Sequence, residues 1–142
     1  MINISTPVST FFDDDKLAEM IMKYSDSLEG RPFNVDKNFK MNQETFHCDV
    51  VQPIHKMKQS EFDLIEKIVE TKPGLNMISF HCAMSSAKYE IKDGMAWSSG
   101  YNYSEEEMRD NTYENIIKIK NIVGDIELLI ENNNYYPTDA YH

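Results

Sequence analysis

The sequence predicts an α/β protein with about five parallel strands and flanking helices, and three observations predict it. Apolar, β-branched runs such as "ETFHCDVV", "LNMISFHCA" and "DIELLIENN" recur along the chain. Between them lie stretches with helical spacing of apolar residues, the longest being "SEEEMRDNTYENIIKIKNIV". The strand-like runs are apolar on both faces, as strands buried in a helix-covered parallel sheet are.

The elements follow in order. "MINIST" is a short β-prone run closed by Pro7. "DDDKLAEMIMKY" reads as a helix with acidic residues at its start, where they complement the helix dipole, and with Leu17, Met20, Ile21 and Tyr24 on its buried face. Asp13–Asp15 then form a solvated helix start. "SLEGRPFNV" reads as a strand interrupted by a turn at Gly30 to Pro32, and a helix is missing or irregular between Phe33 and Glu44. "ETFHCDVVQPIH" is the next strand, ended by Pro53. Ser60 opens a second helix with Asp63 as its capping partner; Phe62, Ile65, Ile68 and Val69 form the buried stripe and "TKPG" stops it. After "LNMISFHCA" a looser stretch runs from Ser85 to Tyr103, long enough to be functional or mobile. Ser104 and Glu107 make a capping box for the third helix, whose inner side carries Met108, Thr112, Asn115, Ile116 and Ile119. Gly124 ends it, and "DIELLIENN" is the last strand.

With 142 residues, the chain has room for a single domain, 1–142, with a real core. Its 41% apolar content sets it apart from disordered chains. The formal charge of −10 argues against a nucleic-acid surface, because phosphate contacts need clustered Lys and Arg. No apolar run reaches the roughly 18 residues of a membrane span, and no basic start precedes an apolar stretch, so a cytoplasmic protein is expected. Cys48 and Cys82 lack a framework pattern and read as reduced thiols.

In a parallel α/β sheet the C-terminal strand ends share one edge, where such proteins bind and react. Here those ends carry Glu29, His47, Asp49, His81 and Glu131. Two imidazoles and a carboxylate converging on one rim suit Zn, Mn or Fe, because nitrogen and carboxylate oxygen match these cations. His47, His81 and Glu131 are therefore the candidate metal ligands. Each also has a plain reading, as a hydrogen-bonded residue at a strand end. His55, after Pro53, is a loop residue behind the ligands or against a substrate. Asn132 to Asn134 either form a turn or line a pocket, Tyr135 and Tyr136 either cover the core or join that pocket, and Arg31 is either a phosphate contact or an ion-pair partner.

"F-H-C-D" on one strand, "I-S-F-H" on the next and "L-L-I-E-N" on the following one resemble the xylose isomerase-like TIM-barrel superfamily. That superfamily includes sugar phosphate isomerases/epimerases and endonuclease IV-type AP endonucleases (AP endonuclease family 2). The resemblance implies a metal site held by His47, His81 and Glu131, with Glu131 either bridging metals or acting as the catalytic base. "ENNNYY" resembles the multinuclear iron-dependent oxidase relatives of the same barrel, an alternative activity. In this frame Asp49, Glu29, His55, Asn132, Asn133 and Trp97 are substrate-side candidates, Trp97 either stacking on a substrate or plugging the barrel mouth. The resemblance implies eight βα units, so the expected fold is a partial, truncated TIM-type (β/α) barrel, the N-terminal portion. The expected substrate is a carbohydrate or sugar phosphate, with isomerase or epimerase chemistry. A homo-oligomer that completes the barrel is one expectation for partners; membrane and nucleic acid are not expected. The non-enzymatic alternatives are an inactive half-barrel or a self-contained domain such as a flavodoxin-like doubly wound sheet. Against the latter, "STPVST" after the first strand has no glycine-rich phosphate loop.

Overall fold

Two of the three helices begin where a side chain supplies an acceptor for their first free N–H groups. The computed structural model describes residues 3–132, Thr138 and Ala140. Its elements are β1 (Ser5–Pro7), α1 (Asp15–Met22), β2 (Ser27–Gly30), β3 (Gln43–Cys48), α2 (Gln59–Thr71), β4 (Met77–His81), β5 (Tyr89–Lys92), β6 (Met95–Ser98), α3 (Glu105–Val123) and β7 (Glu127–Glu131). Asp14 caps α1, its Oδ1 accepting from the N–H groups of Lys16 at 2.9 Å and Leu17 at 3.1 Å. The expected box caps α3: Ser104 Oγ accepts from Glu107 N–H at 3.3 Å, and Glu107 Oε2 accepts from Ser104 N–H at 2.9 Å. Gly124, at a φ of 61°, ends α3 as expected. The start of α2 differs from expectation. It opens at Gln59, and Glu61 Oε2 accepts from Lys58 N–H at 2.7 Å, so Ser60 and Asp63 are not its capping pair.

Five strands form one parallel sheet in the order β1-β2-β3-β4-β7. Each βα unit adds its strand beside the last, without reversal. A doubly wound sheet needs a reversal at a switch point, so the flavodoxin-like alternative is corrected by this order. Between β2 and β3 the chain makes only a 3-10 turn at Pro32–Asn34, matching the missing helix.

Alternation along each strand sends neighbouring side chains to opposite faces. Phe46, Cys48, Ile78 and Phe80 take one face and pack with Phe62, Ile65 and Ile68 of α2 and with Ile119 and Val123 of α3. Leu28 of β2 joins Val8, Phe12 and Ala18 of α1 in a second cluster. Gly30 lies in register with Phe46, whose ring comes so close that a Cβ at position 30 would sit 2.5 Å from its Cδ2. Among the described residues, the buried apolar side chains of the helices belong to these two clusters. The opposite face is mixed, carrying Met77 and Leu129 beside Glu29, Thr45, His47, Ser79, His81 and Glu131, with the polar residues gathered at the C-terminal strand ends. The stripe of α1 departs from the sequence reading: Leu17, Met20 and Tyr24 are exposed, while Ala18 is buried and Ile21 and Met22 pack beside it.

The stretch from Ser85 to Tyr103 is not a loose loop. It contains an antiparallel hairpin of β5 and β6, turned at Asp93 and Gly94, which both have positive φ (53° and 76°) as a type I′ turn demands. The end of the described chain packs on it: Thr138 Oγ1 donates to the Ala96 carbonyl, and Met84, Ala96 and Ala140 form a small buried cluster. No described helix is long and apolar enough to cross a membrane.

Candidate metal centre

Register, more than sequence spacing, assembles the candidate site. His47 of β3 pairs with Ser79 of β4, and His81 of β4 pairs with Glu131 of β7. Ser79 and His81 are two residues apart and share a face. Four polar side chains therefore meet at the C-terminal ends of three adjacent strands, on the face that the helices leave open. His47 Nε2 and His81 Nε2 stand 2.8 Å apart. His47 Nδ1 lies 2.8 Å from Ser79 Oγ and 3.4 Å from Glu131 Oε2. One ligand atom from each of His47, His81 and Glu131 falls within 4.8 Å of the others.

The donors fit a divalent cation. At 2.8 Å the two Nε2 atoms share a hydrogen bond, one ring donating its N–H and the other accepting; a cation bound by both at about 2.0–2.1 Å would displace that proton and hold them further apart. Burial pushes the His47 pKa below the ordinary imidazole value, and the positive charges of Arg31 and His81 push it further; Glu131 and Glu29 oppose this. The neutral ring that results at pH 7 is the ligating form. Glu131 supplies the negative charge and is 54% exposed in its side chain, so the cluster is open to solvent on that side. The two thiols are free, Cys48 buried and Cys82 half-buried; burial raises the pKa of both, Cys48 to about 12. They do not compete as ligands in this set.

Ser79 escaped the sequence reading, because a serine within an apolar strand reads as filler. Only its position two residues before His81 hints at its face. Its hydroxyl fixes the orientation of the His47 ring, as partners behind metal ligands commonly do. Ser79→Ala is expected to weaken Zn²⁺ or Mn²⁺ affinity by about 10- to 100-fold while the circular dichroism spectrum stays unchanged. Equal affinity of variant and parent in a calorimetric titration would remove Ser79 from the site.

The other candidates divide. Arg31 is an ion-pair partner: its guanidinium donates to Glu29 Oε1 at 2.7 Å and faces Asp49 Oδ2 at 3.7 Å. This places Glu29 and Asp49 beside the cluster but commits them to Arg31. Asp49 and His81 also border a cleft of about 580 Å³ whose far wall is the hairpin, with Tyr89, Ile91 and Met95. His55 is drawn away from the cluster. Its Nε2–H donates to the Met84 carbonyl at 2.6 Å, its ring stacks on Tyr103, and its own carbonyl accepts from Asn115 Nδ2 at 2.7 Å. It ties the β3–α2 loop to α3 and to the start of the hairpin segment. Trp97, opposite Glu90 on β6, does not line the cleft, and Asn132 is exposed just past β7. Asn133, Asn134, Tyr135 and Tyr136 lie outside the described residues.

Burial also holds the His55 pKa below the usual imidazole range, against the opposing pull of its bond to Met84. Folding thus favours the neutral form of His47 and His55, and the unfolded chain takes up protons first as pH falls. Stability is present above the ordinary value of 6.5 and is lost as pH drops below it toward the folded-state values. The melting temperature is expected to fall between pH 7 and 5; a level profile would show that the two rings are not held neutral.

No protein-family model matches the chain, and a comparison with curated proteins finds no match either.

Proposed function

We propose that the sheet is part of a TIM-type (β/α) barrel of the xylose isomerase-like kind. We further propose that the protein is a divalent-metal-dependent enzyme of the sugar or sugar phosphate isomerase/epimerase type. The barrel reading is supported by the unreversed strand order and by helices that pack on one face only, since barrel strands keep helices outside and a second face inside. The functional reading is carried by one observation: His47, His81 and Glu131 meet at the C-terminal ends of adjacent parallel strands, on the helix-free face.

His47 and His81 would hold the metal through imidazole nitrogen, with Ser79 orienting His47. A divalent cation bound there supplies Lewis acidity toward a substrate carbonyl. The chain's own part is then proton transfer. Glu131 is exposed enough to meet a substrate entering from the cleft, and a carboxylate oxygen at the strand exit takes the proton from the carbon beside the carbonyl and returns it. His81 borders the cleft on the substrate side, while Arg31 pairs with Glu29 and faces Asp49 beside the ligands.

Two measurements test the reading. A Mn²⁺ titration followed by electron paramagnetic resonance should show one ion per chain. Protein saturated with Mn²⁺ in D₂O should then exchange the carbon-bound proton of a hydroxyketone such as dihydroxyacetone. Glu131→Gln, resaturated with Mn²⁺, should exchange at least about 100-fold more slowly, the scale of a lost general base. A parent protein that takes up no divalent ion would end the proposal.

A further inference from the structure

A second cavity lies at the other end of the sheet, away from the candidate metal centre. It has a volume of about 460 Å³ and sits where β3 begins and where the turn after α2 leads toward β4. Its walls include Phe39, Met41 and Gln43 on one side and Lys72 on the other. Lys72 is only 4% exposed, so the residues of this chain already set its surroundings. Its backbone N–H closes α2 on the Ile68 carbonyl at 3.1 Å. Its Nζ donates to the Lys37 carbonyl at 2.5 Å, which uses one of the three N–H groups of an ammonium. Burial lowers the Lys72 pKa from its ordinary value, and Asp36 opposes the shift. Asp36 is itself paired with Lys67 at 2.8 Å. A buried charge is costly until an opposite charge and further hydrogen bonds meet it. Gln43, in the same wall, is 7% exposed, and its amide Nε2 has no acceptor among the described residues. Two buried side chains bordering one cavity thus have unused donors. The apolar part of the wall is held in place: the Phe39 ring meets Phe12 edge-on at 5.3 Å, and Met41 packs on the same cluster.

We propose that this cavity binds a small monocarboxylate with an apolar body, its carboxylate accepting from Lys72 Nζ and the Gln43 amide and its body lying against Phe39 and Met41. The last torsion of a glutamine is broad, so the Gln43 amide can turn Nε2 toward the ligand. One ammonium balances one negative charge. The carbonyl end of α2 finishes here and opposes a second, which favours a carboxylate over a phosphate dianion. The volume lies within the range of small-molecule pockets, and a few polar groups in an apolar wall are their usual makeup. The site shares no residue with His47, His81 and Glu131 and needs no metal.

The test titrates the full 142-residue chain with benzoate, benzamide and inorganic phosphate, followed by ¹H–¹⁵N NMR. Benzoate is expected to bind with a Kd of about 1 mM or tighter. The backbone amide signals of Asn42, Gln43, Lys72 and Gly74 should move, and those of His81 and Glu131 should stay. Benzamide has the same shape without the charge and should bind at least about tenfold more weakly; phosphate should also bind more weakly than benzoate. Lys72→Met keeps the chain length and removes the ammonium. It should weaken benzoate at least about tenfold, with circular dichroism checking the fold. Should that variant fail to fold, the ratio of benzoate to benzamide affinity in the parent decides. Equal binding of the two, tighter binding of phosphate, absent benzoate shifts or shifts centred away from Lys72 would each overturn the proposal.

Discussion

Replacing His47 and His81 together with alanine is expected to lower affinity for Mn²⁺ or Zn²⁺ by more than about 100-fold, beyond what loss of a partner behind a ligand produces. The reasoning is local. The two rings contribute the nitrogen donors of the cluster, and what remains is Glu131, a carboxylate more than half exposed. An exposed carboxylate by itself holds a divalent ion no better than the many others on this acidic chain. Removing both rings at once matters for interpretation. A single substitution takes from the other imidazole its partner at 2.8 Å and so mixes the loss of a ligand with the loss of a hydrogen bond. The double variant removes the pair, and both positions lie on the face away from the main apolar cluster. Folding should therefore survive, which far-ultraviolet circular dichroism checks. Equilibrium dialysis against Mn²⁺ and Zn²⁺ then decides. A double variant that binds as the parent does would show that the three residues are merely neighbours at a strand edge.

Much of this arrangement was legible in the chain. α2 announced its stripe through Phe62, Ile65 and Ile68, and α3 announced its start through Ser104 and Glu107, because helical period and caps are local properties. The convergence of His47, His81 and Glu131 followed from parallel strands alone, since each residue lies at or next to the end of its strand. What the sequence concealed depends on contacts between distant segments. The pairing of His47 with Ser79 is a matter of register, which no spacing within one strand reveals. The face of α1 was misread because a short helix is seated by whichever side chains meet Leu28 and Phe12, and here that is Ala18. The hairpin of β5 and β6 had a local signal in Asp93–Gly94, but all four residues of β5 are exposed, so no buried alternation flanked that turn. His55 looked available for chemistry and is instead spent on holding Met84, Tyr103 and Asn115 in place. The barrel and the isomerase chemistry came from the resemblance, and they stand as proposals.

Phe80→Ala should be the most damaging single substitution for the fold, costing about 3–5 kcal/mol. Phe80 is fully buried on the interior strand β4, in register with Cys48 on one side and Ile130 on the other. It belongs to the cluster that α2 and α3 share, so the cavity left by its ring would open between the sheet and both helices. Such a loss corresponds to a fall in melting temperature of roughly 10 °C or more for a chain of this size. The consequence reaches the site, because Phe80 lies between Ser79 and His81 and its burial fixes which way both of them face. Loosening β4 should therefore weaken metal binding as well. Excess Mn²⁺ should raise the melting temperature of Phe80→Ala by less than it raises that of the parent, since stabilisation by a ligand follows its affinity for the folded state. Calorimetric scans of both proteins with and without Mn²⁺ measure this. Equal shifts would mean that the ligands are positioned independently of the core beneath them.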